Sequence, residues 1–363
     1  MSLATLFEPF EIKSIKSKNR VAMAPMTRSF SPKGIPTDDV AAYYKRRAEH
    51  NVGLIITEGT VIERPASKND EGIPNFYGDA LPKWKKVVDE VHSVGGVIIP
   101  QIWHVGNVKG RSGYDPLPKD SPSGLHAKDK ISAEPMSEAD IADTIAAFAA
   151  SAKSAKDLDF DGLELHGAHG YLIDQFFWKD LNLRSDKWGG PTIGERSMFA
   201  REVIKACRAA VGEDFAIVIR ISQWKQQDYT ARNANTPKEM TEWLGGLVDA
   251  GADVLHCSQR RFWEPEFEGS DLNFAGWAKK LIGVPTISVG SVGLSGEFVA
   301  TFMGEGSQPS SIDGVLKRLE DKEFDMIAVG RALLNDPEWV DKIKDGRLDE
   351  LKSFERRDLM TLY

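Results

Sequence analysis

The chain has 363 residues, 41% of them hydrophobic and 28% charged, with a formal net charge of −8 at pH 7. That balance fits a globular protein with a large core, and an acidic surplus without a basic run argues against nucleic acid and anionic membranes as partners. No basic stretch leading into an apolar one opens the chain, no run of eighteen apolar residues occurs, and Cys207 and Cys257 are too few for a disulfide framework or an iron–sulfur cluster, so a cytoplasmic enzyme is expected.

Short apolar runs predict strands at 20–24, 53–57, 97–103, 162–166, 216–221, 254–257, 286–289 and 326–329. Helical periodicity falls between them at 37–50, 82–94, 137–158, 193–211, 237–250 and 273–281, with Ser137 and Asp140 spaced as a capping box. Eight strands that alternate with helices predict an α/β fold, a closed parallel (β/α)8 TIM barrel. An open doubly wound sheet would want a GxGxxG turn after its first strand, where this chain has Pro25-Met26-Thr27-Arg28. Two segments exceed ordinary loop length. Residues 109–135, rich in Pro, Gly, Ser and charge, are expected to form an excursion after strand three over the barrel mouth, and 304–312 a polar loop in the seventh connection. Neither reads as a linker, so one domain is expected over 1–363.

Active sites of such barrels lie at the carboxyl ends of the strands. The fourth end is the richest. There 161–171 runs into a glycine turn that presents His166, His169 and Tyr171 within six residues. Imidazoles hold a developing oxyanion and a phenol delivers a proton, a combination suited to addition across a carbon–carbon double bond beside a carbonyl. By strand alternation Glu164 and His166 share a face, as do Gln101 and Trp103, and Val218, Arg220 and Ser222.

At the last two ends, Gly290-Ser291-Val292-Gly293 and Gly330-Arg331 match the usual phosphate site of this architecture, for a phosphorylated substrate or cofactor. Arg220 favours the cofactor. A cation deep in the mouth would offset the charge of a reduced flavin near N1, Gln101 would pair with the pyrimidine edge, and Thr27 would place a hydroxyl near O4.

From 19–25 to 330–337, and most specifically over 166–177, the chain resembles the Old Yellow Enzyme family of flavin-dependent ene-reductases. The resemblance implies a barrel carrying non-covalent FMN, which takes hydride from NADPH or NADH and passes it to an activated alkene such as an enone, enal, maleimide or nitroalkene. A side activity on nitrate esters or nitro compounds belongs to the same expectation. It implies FMN contacts from Thr27, Gly59, Gln101, Arg220, Gly290, Ser291, Gly293, Gly330 and Arg331, with Pro25 and Met26 flanking the ring. His166 and His169 would bind the acceptor oxygen, Tyr171 would supply the proton, and Trp103 would shape the pocket. Thr27 stands where another branch has cysteine, and His169 where some members have asparagine. Residues 223–229 and 260–266 resemble a bacterial subgroup, with Trp224, Phe262 and Trp263 expected at the rim.

Plainer assignments stand beside these. His166 alone is as well read as a structural residue, Arg220 as a buried ion-pair partner of Glu164, and Arg331 as a helix cap or a partner of Asp336. His104 and His126 read as packing or surface residues. A metal held by His166, His169 and Glu164 is not expected, because the other strand ends add too few carboxylates and histidines. A phosphosugar aldolase or isomerase would want a lysine or carboxylate base at a strand end, and Lys225 is expected in a loop. A flavin-storing protein without turnover is the non-enzymatic alternative.

Overall fold

The eight apolar runs pair in parallel, each beside its neighbour in the chain, until the last meets the first. In the computed structural model, which describes residues 3–111, 113–296 and 306–363, the barrel strands are β1 Val21–Met23, β2 Leu54–Val61, β3 Ile98–Trp103, β4 Leu163–His169, β5 Ile217–Lys225, β6 Val254–Ser258, β7 Thr286–Val289 and β8 Met326–Val329. The seam closes through Ile327 opposite Val21 and Val329 opposite Met23.

Alternation along each strand sorts the apolar side chains. Ala22, Leu54, Ile56, Ile99, Val218, Val254, Ile287, Met326 and Ala328 fill the barrel interior. Ile55, Ile98, Leu165, Ile219, Leu255 and Ile327 belong to the larger cluster shared with the surrounding helices. Each branched side chain fully buried on either face is worth roughly 1.5–3 kcal/mol against exposure.

A short antiparallel hairpin, Phe10–Ile12 with Ile15–Ser17, closes the floor. Phe10 and Ile15 join the interior cluster, and Ser14 Oγ accepts the Ala216 N–H just before β5 at 2.8 Å. Sequence periodicity gave no sign of this hairpin, because three-residue strands are too short to show alternation. The hairpin thus covers the interior at the end away from the carboxyl ends of the strands.

Of the expected helices, Glu138–Asp157 starts at Ser137 with both halves of the capping box formed, a contact worth about 1 kcal/mol. The helix expected over 193–211 is two, Ile193–Arg196 and Met198–Val211. Buried Arg196 explains the break, since it donates to the carbonyls of Phe177, Gly190 and Pro191 and pulls its turn inward. The excursion after β3 contains its own hairpin, Leu125–Ala127 with Lys130–Ile131. The loop expected at 304–312 begins outside the described residues. Cys207 and Cys257 are buried thiols, not a disulfide, and no helix among the described residues is long and apolar enough to cross a membrane.

Candidate active site

Four strand ends converge on one polar layer above the apolar interior. Gln101 on β3 lies beside Glu164 on β4, and His166 on β4, Arg220 on β5 and His256 on β6 stand in register. Glu164 accepts from Gln101 Nε2 at 2.8 Å and from His256 Nδ1 at 2.6 Å, with all three side chains buried. The carboxylate is therefore taken, and Arg220 is not its direct ion-pair partner. Among the described residues the Arg220 guanidinium makes one long contact, 3.4 Å to the Pro25 carbonyl, and its buried Nε has no partner. A desolvated cation left this free is costly unless an anionic or accepting group completes its shell.

Strand β4 continues through His169, three residues beyond its expected end. Strict alternation would send His169 to the opposite face from His166. A register shift against β5, together with a left-handed φ of 65° at His169 and 80° at Gly170, turns the chain and brings the two rings to 5.3 Å. Gly170 supplies the second left-handed position at no steric cost. Tyr171 then lies 4.9 Å from the His166 ring and 4.7 Å from Trp103, ring centre to ring centre, and Trp103 stacks on His166 at 5.7 Å.

Protonation follows from burial. His166 and His169 are held well below the ordinary imidazole range, first by desolvation and then by Arg220, so both rings are neutral at pH 7. His166 Nδ1 accepts the Ala168 N–H at 3.3 Å, which places its single ring proton on Nε2. His169 Nε2 pairs with Ser258 Oγ at 2.8 Å. Desolvation raises the Tyr171 phenol, opposed by a hydrogen bond from Gln226 and the charges of Arg111 and Arg220.

The turn is locked from behind. Asp174 accepts from Gly170 N at 2.8 Å, from Lys225 Nζ at 2.6 Å and from Asn233 Nδ2 at 2.9 Å, and the Lys225 and Asp174 side chains are fully buried. Lys225 was expected in a loop. It ends β5 instead, and its charge is spent on Asp174, so it is no candidate catalytic base.

Around the mouth, Pro25 is buried, Met26 partly buried and Thr27 exposed. Gly59 gives Trp103 its place: a Cβ there would lie 2.3 Å from Trp103 Cε3. Ser291 adopts a left-handed φ of 51°. Arg331 reaches Gly296 O at 2.7 Å and Ser291 Oγ at 3.5 Å, while Asp336 pairs with Lys342. Gly293, with φ of 74°, packs so close to Trp339 that a Cβ would meet Cζ2 at 2.9 Å. Gly330 follows β8 directly, and its modest contacts leave room for a side chain.

Of the three expected rim aromatics, Trp224 stacks on His169 at 4.4 Å. Phe262 is buried, and with Trp263, Ser291 and Lys317 it lines a cavity of about 630 Å³. Packing against the loop after β7 took Phe262 out of the rim. His104 is a packing residue bound to Asp120 and the Gly106 N–H, and His126 is paired with Ser132 near the surface. Sequence reasoning missed Ser258, His256, Gln226 and Asp174. Ser258 and His256 carried a usable signal, since β6 alternation puts both on the face of Arg220.

The described residues thus form a closed α/β barrel whose polar mouth holds a buried, incompletely satisfied cation at Arg220. Residues 5–350 match the model of the NADH:flavin oxidoreductase / NADH oxidase family. The chain is 29% identical over 362 residues to 12-oxophytodienoate reductase 7 of Oryza sativa subsp. japonica, covering 94% of this chain and 88% of that one. It superimposes on morphinone reductase in complex with tetrahydroNAD with a TM-score of 0.77 at 26% identity, covering 94% and 90% of the two chains. The Old Yellow Enzyme homologue from Zymomonas mobilis shares the fold with a TM-score of 0.80 at 23% identity, covering 98% and 96%. The chain belongs to this family, the Old Yellow Enzyme group, and is an FMN-dependent oxidoreductase that uses NAD(P)H.

Proposed function

We propose that the protein is an ene-reductase that saturates alkenes conjugated to a carbonyl or nitro group. The supporting observation is the cluster of two neutral imidazoles and a phenol packed against Trp103, beside a buried guanidinium with an unused Nε. Nitrate esters and nitro compounds present similar acceptor oxygens and are proposed as secondary substrates.

The residues present fit FMN. Arg220 would supply the desolvated positive charge that offsets the charge of a reduced isoalloxazine. Gln101 is oriented by Glu164, which takes its amide N–H and leaves the amide oxygen to accept from a pyrimidine N–H. Thr27, Pro25, Met26 and Gly59 would border the ring, and Gly290, Ser291, Gly293, Gly330 and Arg331 the phosphate. Bound there, FMN would supply the hydride-transfer chemistry that links the reduced nicotinamide to the alkene.

The chain's own residues do the rest. His166 donates Nε2–H to the acceptor oxygen and draws charge onto it, and His169 adds a second donor. Because both rings are neutral, they polarise the oxygen without protonating it. Tyr171 delivers its phenolic proton to the α-carbon, whose electron pair forms the new C–H bond. Trp103 holds the substrate plane and keeps water from the pocket.

Stopped-flow kinetics of the two half-reactions test this. His166→Ala is expected to slow alkene reduction by about a hundred- to a thousand-fold while leaving reduction by nicotinamide much less affected. Tyr171→Phe is expected to spare the nicotinamide half-reaction and slow the alkene half-reaction by roughly a hundred-fold or more. Equal loss in both halves for His166→Ala, or full alkene turnover in Tyr171→Phe, would overturn the assignment.

A further inference from the structure

We propose that Gln226 is a positioning residue for the proton transfer, stabilising the Tyr171 phenolate that forms when the proton leaves. The inference rests on the reading of Tyr171 as proton donor. Gln226 Nε2 donates to Tyr171 Oη at 2.7 Å. The amide thus occupies a lone pair of the phenol, and no described residue accepts the phenolic proton. That proton remains available to the pocket, on the side of Trp103 and His166.

The geometry is held by backbone anchors. Gln226 is the first residue after β5 and is itself exposed, so burial does not fix its side chain. Its neighbours do. Gln226 N–H donates to the His169 carbonyl at 3.3 Å, Lys225 is locked to Asp174, and Gln227 Nε2 donates to the Gly170 carbonyl at 3.0 Å. Three consecutive residues, the last of β5 and the first two after it, are therefore tied to the turn that presents His169, Gly170 and Tyr171.

The chemistry gives this contact a direction. Transfer moves the phenolic proton to the substrate α-carbon, the O–H bond pair stays on Tyr171 Oη, and the phenolate later takes a proton from water. A neutral N–H donor binds a phenolate more strongly than a phenol, so the contact strengthens as the proton departs. The other groups facing the phenol are Arg111 from the excursion after β3, Arg220 from β5 and His166 from β4. Burial holds His166 well below the ordinary imidazole range, so it stays neutral. Neither arginine is hydrogen-bonded to Tyr171, so Gln226 is the one described residue whose contact tracks the charge on Oη directly.

The test is a double-mutant cycle on the alkene half-reaction with a direct titration of the phenol beside it. Gln226→Leu is expected to slow alkene reduction about ten-fold in the parent chain and to have no further effect in the Tyr171→Phe background. Gln226→Glu keeps the size but replaces the donor with an acceptor, and is expected to lose more than Gln226→Leu. Titration of protein labelled with [13Cζ]tyrosine, with the Tyr171 resonance identified by its absence in Tyr171→Phe, is expected to show the phenol titrating higher in Gln226→Leu than in the parent. If Tyr171→Phe itself turns over normally, the donor assignment falls. If Tyr171→Phe is slow but Gln226→Leu slows that background equally, or leaves the phenol titration unmoved, the donor assignment stands and the role of Gln226 is refuted.

Discussion

Replacing Lys225 by Met should expose what holds the active-site turn in place. Lys225 and Asp174 are a fully buried pair at 2.6 Å, and Asp174 also anchors Gly170 N and Asn233 Nδ2. Removing one partner of such a pair leaves a desolvated charge and typically costs about 3–5 kcal/mol. Burial already raises the Asp174 carboxyl, and Lys225 is the largest opposing influence. Without it the folded-state pKa rises further above the unfolded value. A carboxyl so raised binds its proton more tightly when folded, so its contribution to stability is full at low pH and is lost as pH rises through the folded pKa. Denaturant unfolding at fixed FMN concentration should therefore show a deficit against the parent that is small near pH 4 and grows toward pH 8. Asp174→Asn in the same chain should recover part of it, because the remaining partner is then neutral. A deficit below about 1 kcal/mol at pH 8, or one independent of pH, would show that the pair is not what supports the turn.

Three further outcomes are expected. Gly59→Ala puts a Cβ into the Trp103 ring, an overpacking worth roughly 1–3 kcal/mol; it should lower thermal stability and raise the KM for an alkene conjugated to a carbonyl, and an unchanged KM would separate Trp103 from the pocket. Ser258→Ala removes the partner of His169 Nε2; 15N NMR should show mixed tautomers at His169 and the alkene half-reaction should slow about ten-fold, whereas a single unchanged tautomer would mean that Ser258 does not set it. Glu58 accepts from Arg28 N and Ser29 N, its other oxygen is buried without a partner, and burial pushes its carboxyl up to about 7. Because the folded value is raised, stability is lost as pH rises from the unfolded range through about 7. The stability of Glu58→Gln relative to the parent should thus improve by about 3 kcal/mol between pH 4.5 and pH 8; a difference that does not vary with pH would refute the raised value.

Much of the site was legible because barrel chemistry sits at strand ends, and strand ends can be read from apolar runs. Gln101, Glu164, His166, Trp103 and Arg220 lie on the strand faces that counting in twos from buried residues gives. His169 was named from its motif, but its position depends on a register shift and a left-handed residue that alternation does not foresee. Glu58 is similar: β2 shifts register against β3 between Ile56 and Gly59, and Glu58 binds the loop that carries Thr27 and Arg28. The floor hairpin escaped because its three-residue strands are too short to show alternation, and the helix break at Ser197 because it depends on the carbonyls that buried Arg196 meets.

Local rules thus determined the strand–helix alternation, the caps and the set of chemically capable residues, since periodicity, hydrophobic pattern and side-chain chemistry act over a few positions. Tertiary structure alone decided which groups are consumed and which are left over. Glu164 is consumed by Gln101 and His256, Lys225 by Asp174 and Asp336 by Lys342. Arg220 retains a buried, unpartnered Nε. The physical reason is that a buried polar group must be satisfied by whatever the fold brings within about 3 Å, and for Glu164 and Lys225 those partners lie 51 to 92 residues away in the chain.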